Sequence, residues 1–258
     1  MSGERRPGAR AAPSDWVWGA HAVEEQIRYA ANSVVRMDFS PAGGRTDRGR
    51  ALVDSARKAG VIAVEVDLAS LDRRFAGQAH QGFAAQIRPF EFTPLDQLLA
   101  RPGNSLLVAL DEVQDPHNVG AIARSALAFG ATGMIVCRHR GATIGPGAAK
   151  AAAGALARLP VAQATNLVQA LQAAKEIGFW VFGADTAGAV PLHRVKWAER
   201  SVVVLGSEAD GLRRSVRDAC DMAATIETDG VESLNVSVAG AILCHDWKQK
   251  IRTLQNGA

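Results

Sequence analysis

Leu106-Leu-Val-Ala-Leu-Asp-Glu-Val-Gln-Asp-Pro-His-Asn-Val-Gly-Ala-Ile-Ala-Arg-Ser-Ala-Leu-Ala-Phe-Gly130 carries a strand, a polar loop and a helix in unbroken succession. The run Leu106–Leu110 is apolar throughout, as expected of a strand covered on both faces. The loop that follows brings Asn118 to where a helix N-cap would stand. Val119, Ile122, Ala123 and Ala126 then recur at helical spacing and mark a buried stripe. Arg124 falls off that stripe, about 9 Å along the axis from Asn118 by helix rise. An Arg among alanines on an apolar helix needs an anion or solvent to face, and a surface salt bridge would satisfy it equally well.

Outward from this stretch, short apolar runs alternate with helical patterns. Strands are expected at 106–110, 133–136, 179–182 and 202–205, and the clearest helices at 118–129, 167–177 and 235–250. Such alternation predicts an α/β fold: a mainly parallel, buried sheet with helices on both faces. Upstream, residues 16–90 read as a small α/β unit. It has a helix over 20–31, a strand over 34–39 and a Pro/Gly turn at Pro41, Gly43 and Gly44. Thr46 caps a helix carrying Leu52, Val53 and Ala56, and strands follow at 61–66 and 82–87 around a short 68–74 helix. Residues 91–104, punctuated by Pro94, Pro102 and Gly103, read as a linker to a 105–258 domain. Residues 1–15 read as a flexible, weakly basic tail.

Two further segments carry chemistry. In Val202-Val-Val-Leu-Gly-Ser-Glu-Ala-Asp-Gly-Leu212 a strand runs straight into Gly206, whose missing Cβ would let a ligand approach the backbone. Loops at the carboxyl ends of strands are the favoured ligand sites of open α/β sheets. Glu208 and Asp210 in that loop repel phosphate and suit a cation, either Arg124 or a sulfonium. In Ile226-Glu-Thr-Asp-Gly-Val-Glu-Ser-Leu-Asn-Val-Ser-Val-Ala-Gly240, Gly230 makes a turn. Asn235 starts a helix whose buried face is Val236, Ala239, Gly240, Leu243 and Trp247. Ser233 and Asn235 are equally readable as plain caps of that helix.

Composition sets bounds rather than an identity. The 258 residues carry a net charge of +3, and 48% of them are hydrophobic, enough for a substantial core. Arg supplies 23 of the 29 basic side chains; Arg forks suit phosphate, although a codon bias would produce the same excess. The 3 cysteines, Cys137, Cys220 and Cys244, are odd in number and widely spaced, which predicts a reduced, cytoplasmic chain with no disulfide framework. No His/Cys spacing suggests a metal, and no apolar run suggests a membrane span. The loop Gly141–Gly147 follows a strand as a phosphate loop does, but it fits no nucleotide-binding pattern and Pro146 removes one N–H.

Taken together and in this order, N-V-G-A-I-A-R at 118–124, L-G-S-E-A-D-G-L at 205–212 and S-L-N-V-S-V-A at 233–239 resemble the SpoU (TrmH-like) family of the SPOUT methyltransferase class. The segment Lys150–Pro160 is similar to the family's linking region. The resemblance covers most of 105–250. Gly19-Ala-His-Ala-Val and His80-Gln-Gly-Phe-Ala resemble the branch that methylates a guanosine of large-subunit 23S rRNA, and the N-terminal unit resembles that branch's L30e-like RNA-binding domain.

The resemblance implies a deep trefoil knot, exceptional among folds, in a homodimer that acts on RNA. It implies S-adenosylmethionine held by backbone around Gly206, Ile226 and Leu234. It places Arg124, Asn118, Glu208, Ser233 and Asn235 on the catalytic surface. A guanidinium keeps its proton in proteins, so Arg124 is expected to bind the adjacent phosphate and orient or polarise the ribose hydroxyl, with Glu208 fixing its geometry. Two departures stand out: Ile226-Glu-Thr-Asp-Gly-Val lacks the family's Pro-Met after the Ile and is one residue short, and Ala152 stands where Ser is common. The implied reaction is 2'-O-methylation of rRNA. A tRNA substrate, or a non-catalytic RNA-binding ribosome-assembly factor, remains as the alternative.

Overall fold

A computed structural model describes residues 16–256 except Ala187 and Glu232. The expected basic tail at 1–15 lies outside the described residues. The chain divides into two compact units, one running to Phe90 and the other starting at Glu91.

In the first unit, β1 (Trp16–Trp18), α1 (Ala20–Ala30), β2 (Val34–Phe39), α2 (Pro41–Gly44), α3 (Asp47–Lys58), β3 (Ile62–Glu65), α4 (Leu68–Arg74) and β4 (Phe83–Ile87) build a four-stranded sheet of order β1-β4-β2-β3. Only β2 and β3 run parallel. Thr46 caps α3 by accepting from the Gly49 N–H at 2.9 Å. The Pro/Gly turn is one helical turn, capped by Ser40. Leu52, Val53 and Ala56 pack on Val23 and Ile27 of α1 against one sheet face. The other face holds Leu71 and Phe75, with Trp16 and Trp18 beside them. The fully buried Asp38 carboxylate there takes both Arg36 (2.8 Å) and Arg74 (2.7 Å). Strand β1 has no sequence signal, because three residues are too few for an alternation to show.

In the second unit, α5 (Leu95–Leu99), β5 (Ser105–Leu110), α6 (Pro116–Ala128), β6 (Gly133–Cys137), α7 (Pro146–Ala152), β7 (Val161–Ala164), α8 (Leu167–Glu176), β8 (Trp180–Ala184), β9 (Val190–Pro191), β10 (Arg200–Leu205), α9 (Arg214–Arg217), β11 (Met222–Thr225) and α10 (Val236–Asn256) follow in order. Seven strands pair as β7-β6-β5-β10-β8-β11-β9, every pair parallel. The α/β expectation holds. Leu107, Ala109, Val202 and Val204 pack under α5 and α8 on one face. On the other face lie α6 and α10, where a Cβ on Gly240 would come 2.7 Å from Leu205 and 3.7 Å from Ile122. The 91–104 stretch does not act as a free linker. Leu98 and Leu99 are buried in the second unit's core, and a Cβ on Gly133 would sit 2.2 Å from Leu98.

The register decides where chemistry can sit. Leu205 is level with Leu110, which is level with Val136, while Val204 is level with Gly183 and Ala184 with Ala224. The loops after β5, β6, β8, β10 and β11 therefore leave one edge of the sheet together. Helix α6 is held to α7 at Gly120, where a Cβ would meet the Ala148 carbonyl oxygen at 2.3 Å and Ala151 Cβ at 2.7 Å. The buried Ala152 lies in this contact. Gly120→Ala must push two backbones apart, at a cost of about 2 kcal/mol or more. Thermal unfolding should show the melting point about 5 °C lower; an unchanged one would contradict this tight crossing.

Candidate active site

The α6 stripe is buried as expected at Val119, Ile122, Ala123 and Ala126, and Arg124 is exposed. The cap differs from expectation. Asp115 is the N-cap, its carboxylate accepting from the His117 N–H at 2.8 Å, and Pro116 fills the first helical position. Asn118 thus sits inside the first turn, buried, with its amide free for longer-range bonding.

That amide joins three remote segments. Asn118 Nδ2 donates to Glu208 Oε1 at 2.6 Å, and Asn118 Oδ1 accepts from Asn235 Nδ2 at 3.2 Å. A carboxylate only accepts, so Glu208 fixes which way the Asn118 amide faces. Asn235 is also the cap that its sequence suggests: its Oδ1 accepts from the Ser237 N–H (2.9 Å) and hydroxyl (2.6 Å). Capping uses its oxygen and the link to Asn118 uses its nitrogen, so the two readings of Asn235 coexist. Glu208 engages Asn118, not Arg124, among the described residues, and the sulfonium alternative for it stays open. Arg124 makes no hydrogen bond or ion pair among the described residues.

Beside this relay a cleft of about 760 Å³ opens at the carboxyl edge of the sheet. Gly206, Ile226 and Leu234 line it, as do Glu208, Ser233 and Asn235. Asn118 and Arg124 lie outside the lining. The need for Gly206 is internal: a Cβ there would strike the Gly211 carbonyl carbon at 2.1 Å. The 206–212 loop turns back on itself through Ser207 and Gly211, which exchange two 3.0 Å backbone hydrogen bonds. Gly211 itself has φ of +66°, favouring glycine. The absent Cβ thus serves loop closure, and Gly206 also lines the cleft.

Sequence reasoning missed the Asp185–Thr186 stretch after β8, which lines the same cleft. It also missed the clamp beneath it. Buried Asp111 accepts from Arg213 N (2.8 Å), Nε (2.7 Å) and Nη2 (2.6 Å), tying the end of the 206–212 loop to β5. Donating to the Asp111 carboxylate raises the Arg213 pKa above its ordinary value. An acidic residue directly after a buried strand, at the carboxyl edge, was the available signal for Asp111.

The cleft's charge is one-sided. Asp185, Glu208 and Glu227 line it, with no Lys or Arg among the described residues. Asp185 is paired with Arg217 and Glu227 with His193, while Glu208 has only a neutral amide. Such a lining disfavours a phosphate and favours a cationic group. Loss of solvation pushes the Cys220 and Cys244 thiols up to about 12 and raises Cys137, which disfavours their thiolate forms.

Comparison with known proteins decides what this edge belongs to. The profile of the SpoU rRNA Methylase family matches residues 105–245, and that of RNA 2'-O ribose methyltransferase substrate binding matches 16–93. The chain belongs to the SpoU rRNA methylase family. It is 39% identical over 254 residues to an uncharacterized tRNA/rRNA methyltransferase of Mycobacterium tuberculosis, covering 96% of this chain and 78% of the relative. A Mycobacterium avium protein of the same description is 38% identical, covering 94% and 80%. Among solved structures, one from Porphyromonas gingivalis assigned to the TrmH family superposes with a TM-score of 0.64 at 28% identity, covering 91% of this chain and 89% of that one. The SpoU methyltransferase AviRb of Streptomyces viridochromogenes, solved in complex with AdoMet, shares the fold at a TM-score of 0.67 and 19% identity, covering 92% and 90%. The chain is thus an RNA methyltransferase of the SpoU family, with a small substrate-binding unit preceding the parallel-sheet domain. No described helix is long and apolar enough to cross a membrane.

The buried Cys244 and half-buried Cys220 thiols give a pH signature. Unfolded thiols ionise near 9, whereas Cys220 and Cys244 hold their protons to about 12 in the fold. Their stabilising contribution is therefore complete below pH 9 and lost as pH rises toward 12. Urea unfolding at pH 8 and pH 10.5 should show a larger drop for wild type than for Cys220→Ala/Cys244→Ala. Equal drops would contradict the burial of these thiols.

Proposed function

We propose that the chain methylates the 2'-hydroxyl of a guanosine ribose in large-subunit 23S rRNA, with S-adenosylmethionine as donor. The observation that carries this reading is the convergence of Gly206, Glu208, Ile226, Ser233, Leu234 and Asn235 on one cleft, braced by Asn118. The lining fits the donor: Leu205, Ala239 and Leu243 give apolar surface, the loop backbones give hydrogen-bonding groups, and Glu208 is the carboxylate without a cationic partner. When bound, the donor supplies an electrophilic methyl group on a positively charged sulfur.

The residues of this chain then act chiefly by placement. Gly206, Ile226 and Leu234 hold the donor through their backbone. The Asn118–Glu208–Asn235 relay fixes loops 206–212 and 226–235 against the start of α6. Arg124 binds a phosphate next to the target ribose through its guanidinium fork and orients the hydroxyl, while Ser233 faces the cleft as a hydroxyl partner. Because Arg124 is exposed and outside the lining of its own cleft, a homodimer in which a second copy completes the site belongs to the proposal. So do a cytoplasmic location and a knotted passage of α10, favoured by insertion of β10 between the earlier strands β5 and β8. The separate substrate-binding unit favours a folded rRNA region over tRNA, since sequence-specific recognition of RNA targets loops and bulges presented by such structure.

Arg124→Ala should lower methyl transfer to RNA by about 100-fold or more while leaving donor affinity within a few fold. Ordinary turnover in that variant would overturn the assignment. Ribose-methylation mapping of RNA from a strain lacking the protein should show one missing 23S guanosine mark; a mark missing from tRNA alone would reverse the substrate choice.

A further inference from the structure

The cleft has no cation in its lining, yet an RNA acceptor brings several phosphates to its rim. The turn after β6 supplies what the cleft lacks. Arg138, His139 and Arg140 are consecutive and exposed, and the turn leaves the same sheet edge as Asn118's loop. It folds over the start of α6: the Ala142 N–H donates to the Val113 carbonyl at 2.9 Å, and a Cβ on Gly147 would touch Pro116 at 3.4 Å. Asn118 lies two residues further on.

Charge pairing inside this edge is selective. Glu112 takes Arg140 at 3.3 Å and Arg213 at 3.0 Å, while Asp111 takes Arg213. Two carboxylates therefore balance two guanidiniums. Arg138 and His139 remain, their side chains without a partner among the described residues. The backbone is held in place for them: Glu112 and Arg140, both non-glycine, sit in the left-handed region with φ of +58° and +60° and are joined by their ion pair. Strained residues locked together at a ligand-facing edge are a device for presenting side chains, not for stabilising a loop.

We propose that the Arg138–Arg140 turn is a phosphate clamp for the RNA strand flanking the target ribose, with Arg138 and His139 making the contacts and Arg140 pinned by Glu112 to hold the turn. This rests on the RNA-methyltransferase reading and adds to it a second binding locus distinct from the donor cleft. The clamp accounts for how one sheet edge can be acidic where the donor sits and basic where the polyanion passes. Each cation that touches a phosphate releases counterions, so the clamp has a salt signature as well as an affinity.

The test uses the full chain, donor, and deproteinised rRNA from a strain lacking the protein. In Arg138→Ala/His139→Ala, the RNA KM should rise about tenfold with kcat within twofold and donor affinity unchanged. The slope of log KM against log salt should become shallower by about 0.7 to 0.9 for each phosphate-binding cation removed. Arg138→Lys should restore the slope, and Arg252→Ala, far along α10 from this edge, should leave both readouts alone. If the double variant melts early, Arg138→Gln, which alters only an exposed side chain, must show the same direction. An active wild type whose variants keep KM and salt slope overturns the clamp alone. A higher KM with an unchanged slope overturns it too, since that is a shape effect. A wild type that methylates no RNA overturns the parent reading with it.

Discussion

The side-chain amide of Asn118 is the hinge of the structure's chemistry. Its nitrogen must face Glu208, because a carboxylate offers no proton, and that choice leaves its oxygen for Asn235. Two hydrogen bonds thereby join segments 90 and 117 residues away in the chain. A charge-assisted bond of this kind contributes about 1.5 to 3 kcal/mol, which is large against the few kilocalories that hold any single loop. The cleft beside it exists because the strands are in register, so that their loops emerge together, and because the amide then ties two of those loops to α6.

Beneath the amide, the Asp111–Arg213 clamp and the glycine contacts set the loop shapes. Gly206 and Gly211 let the 206–212 segment close on itself; Gly183 lets Leu212 pack against β8, since a Cβ there would fall 2.8 Å from Leu212. The result divides the sheet edge by charge. Carboxylates line the cleft, Arg140 and Arg213 are paired with Glu112 and Asp111, and Arg138 and His139 are exposed on the turn after β6. In the proposed reaction a positively charged donor would lie on the acidic side and the RNA strand on the basic side, with Arg124 exposed on α6 outside the cleft lining.

Much of this is legible in the sequence, for physical reasons that differ by element. The buried strands at 106–110 and 202–205 announce themselves as unbroken apolar runs, and the α6 stripe follows from 3.6-residue spacing. The strands Val161–Ala164 and Met222–Thr225 escape such a reading: each has four residues, rich in Ala, a poor strand former. Asn118 reads as the helix start because it is a good cap, although Asp115 followed by Pro116 is the stronger signal. Five of the six cleft residues fall in the two short motifs 205–212 and 233–239, with Ile226 just upstream of the second, and the family resemblance of those motifs is what singles them out. Their links to Asn118, the Asp111–Arg213 pair and the 185–186 stretch depend on contacts between strands far apart in sequence, which no local pattern encodes. For the same reason the sequence points to Glu208 but not to its hydrogen bond with Asn118.

Calorimetric titration of the purified protein tests the central claim most directly, because the claim is about charge and shape in one cleft. A single S-adenosylmethionine site per chain is expected, with no detectable ATP binding at the same concentrations, since the described lining holds carboxylates and no cation to meet a triphosphate. Equal binding of ATP, or no binding of S-adenosylmethionine, would contradict it.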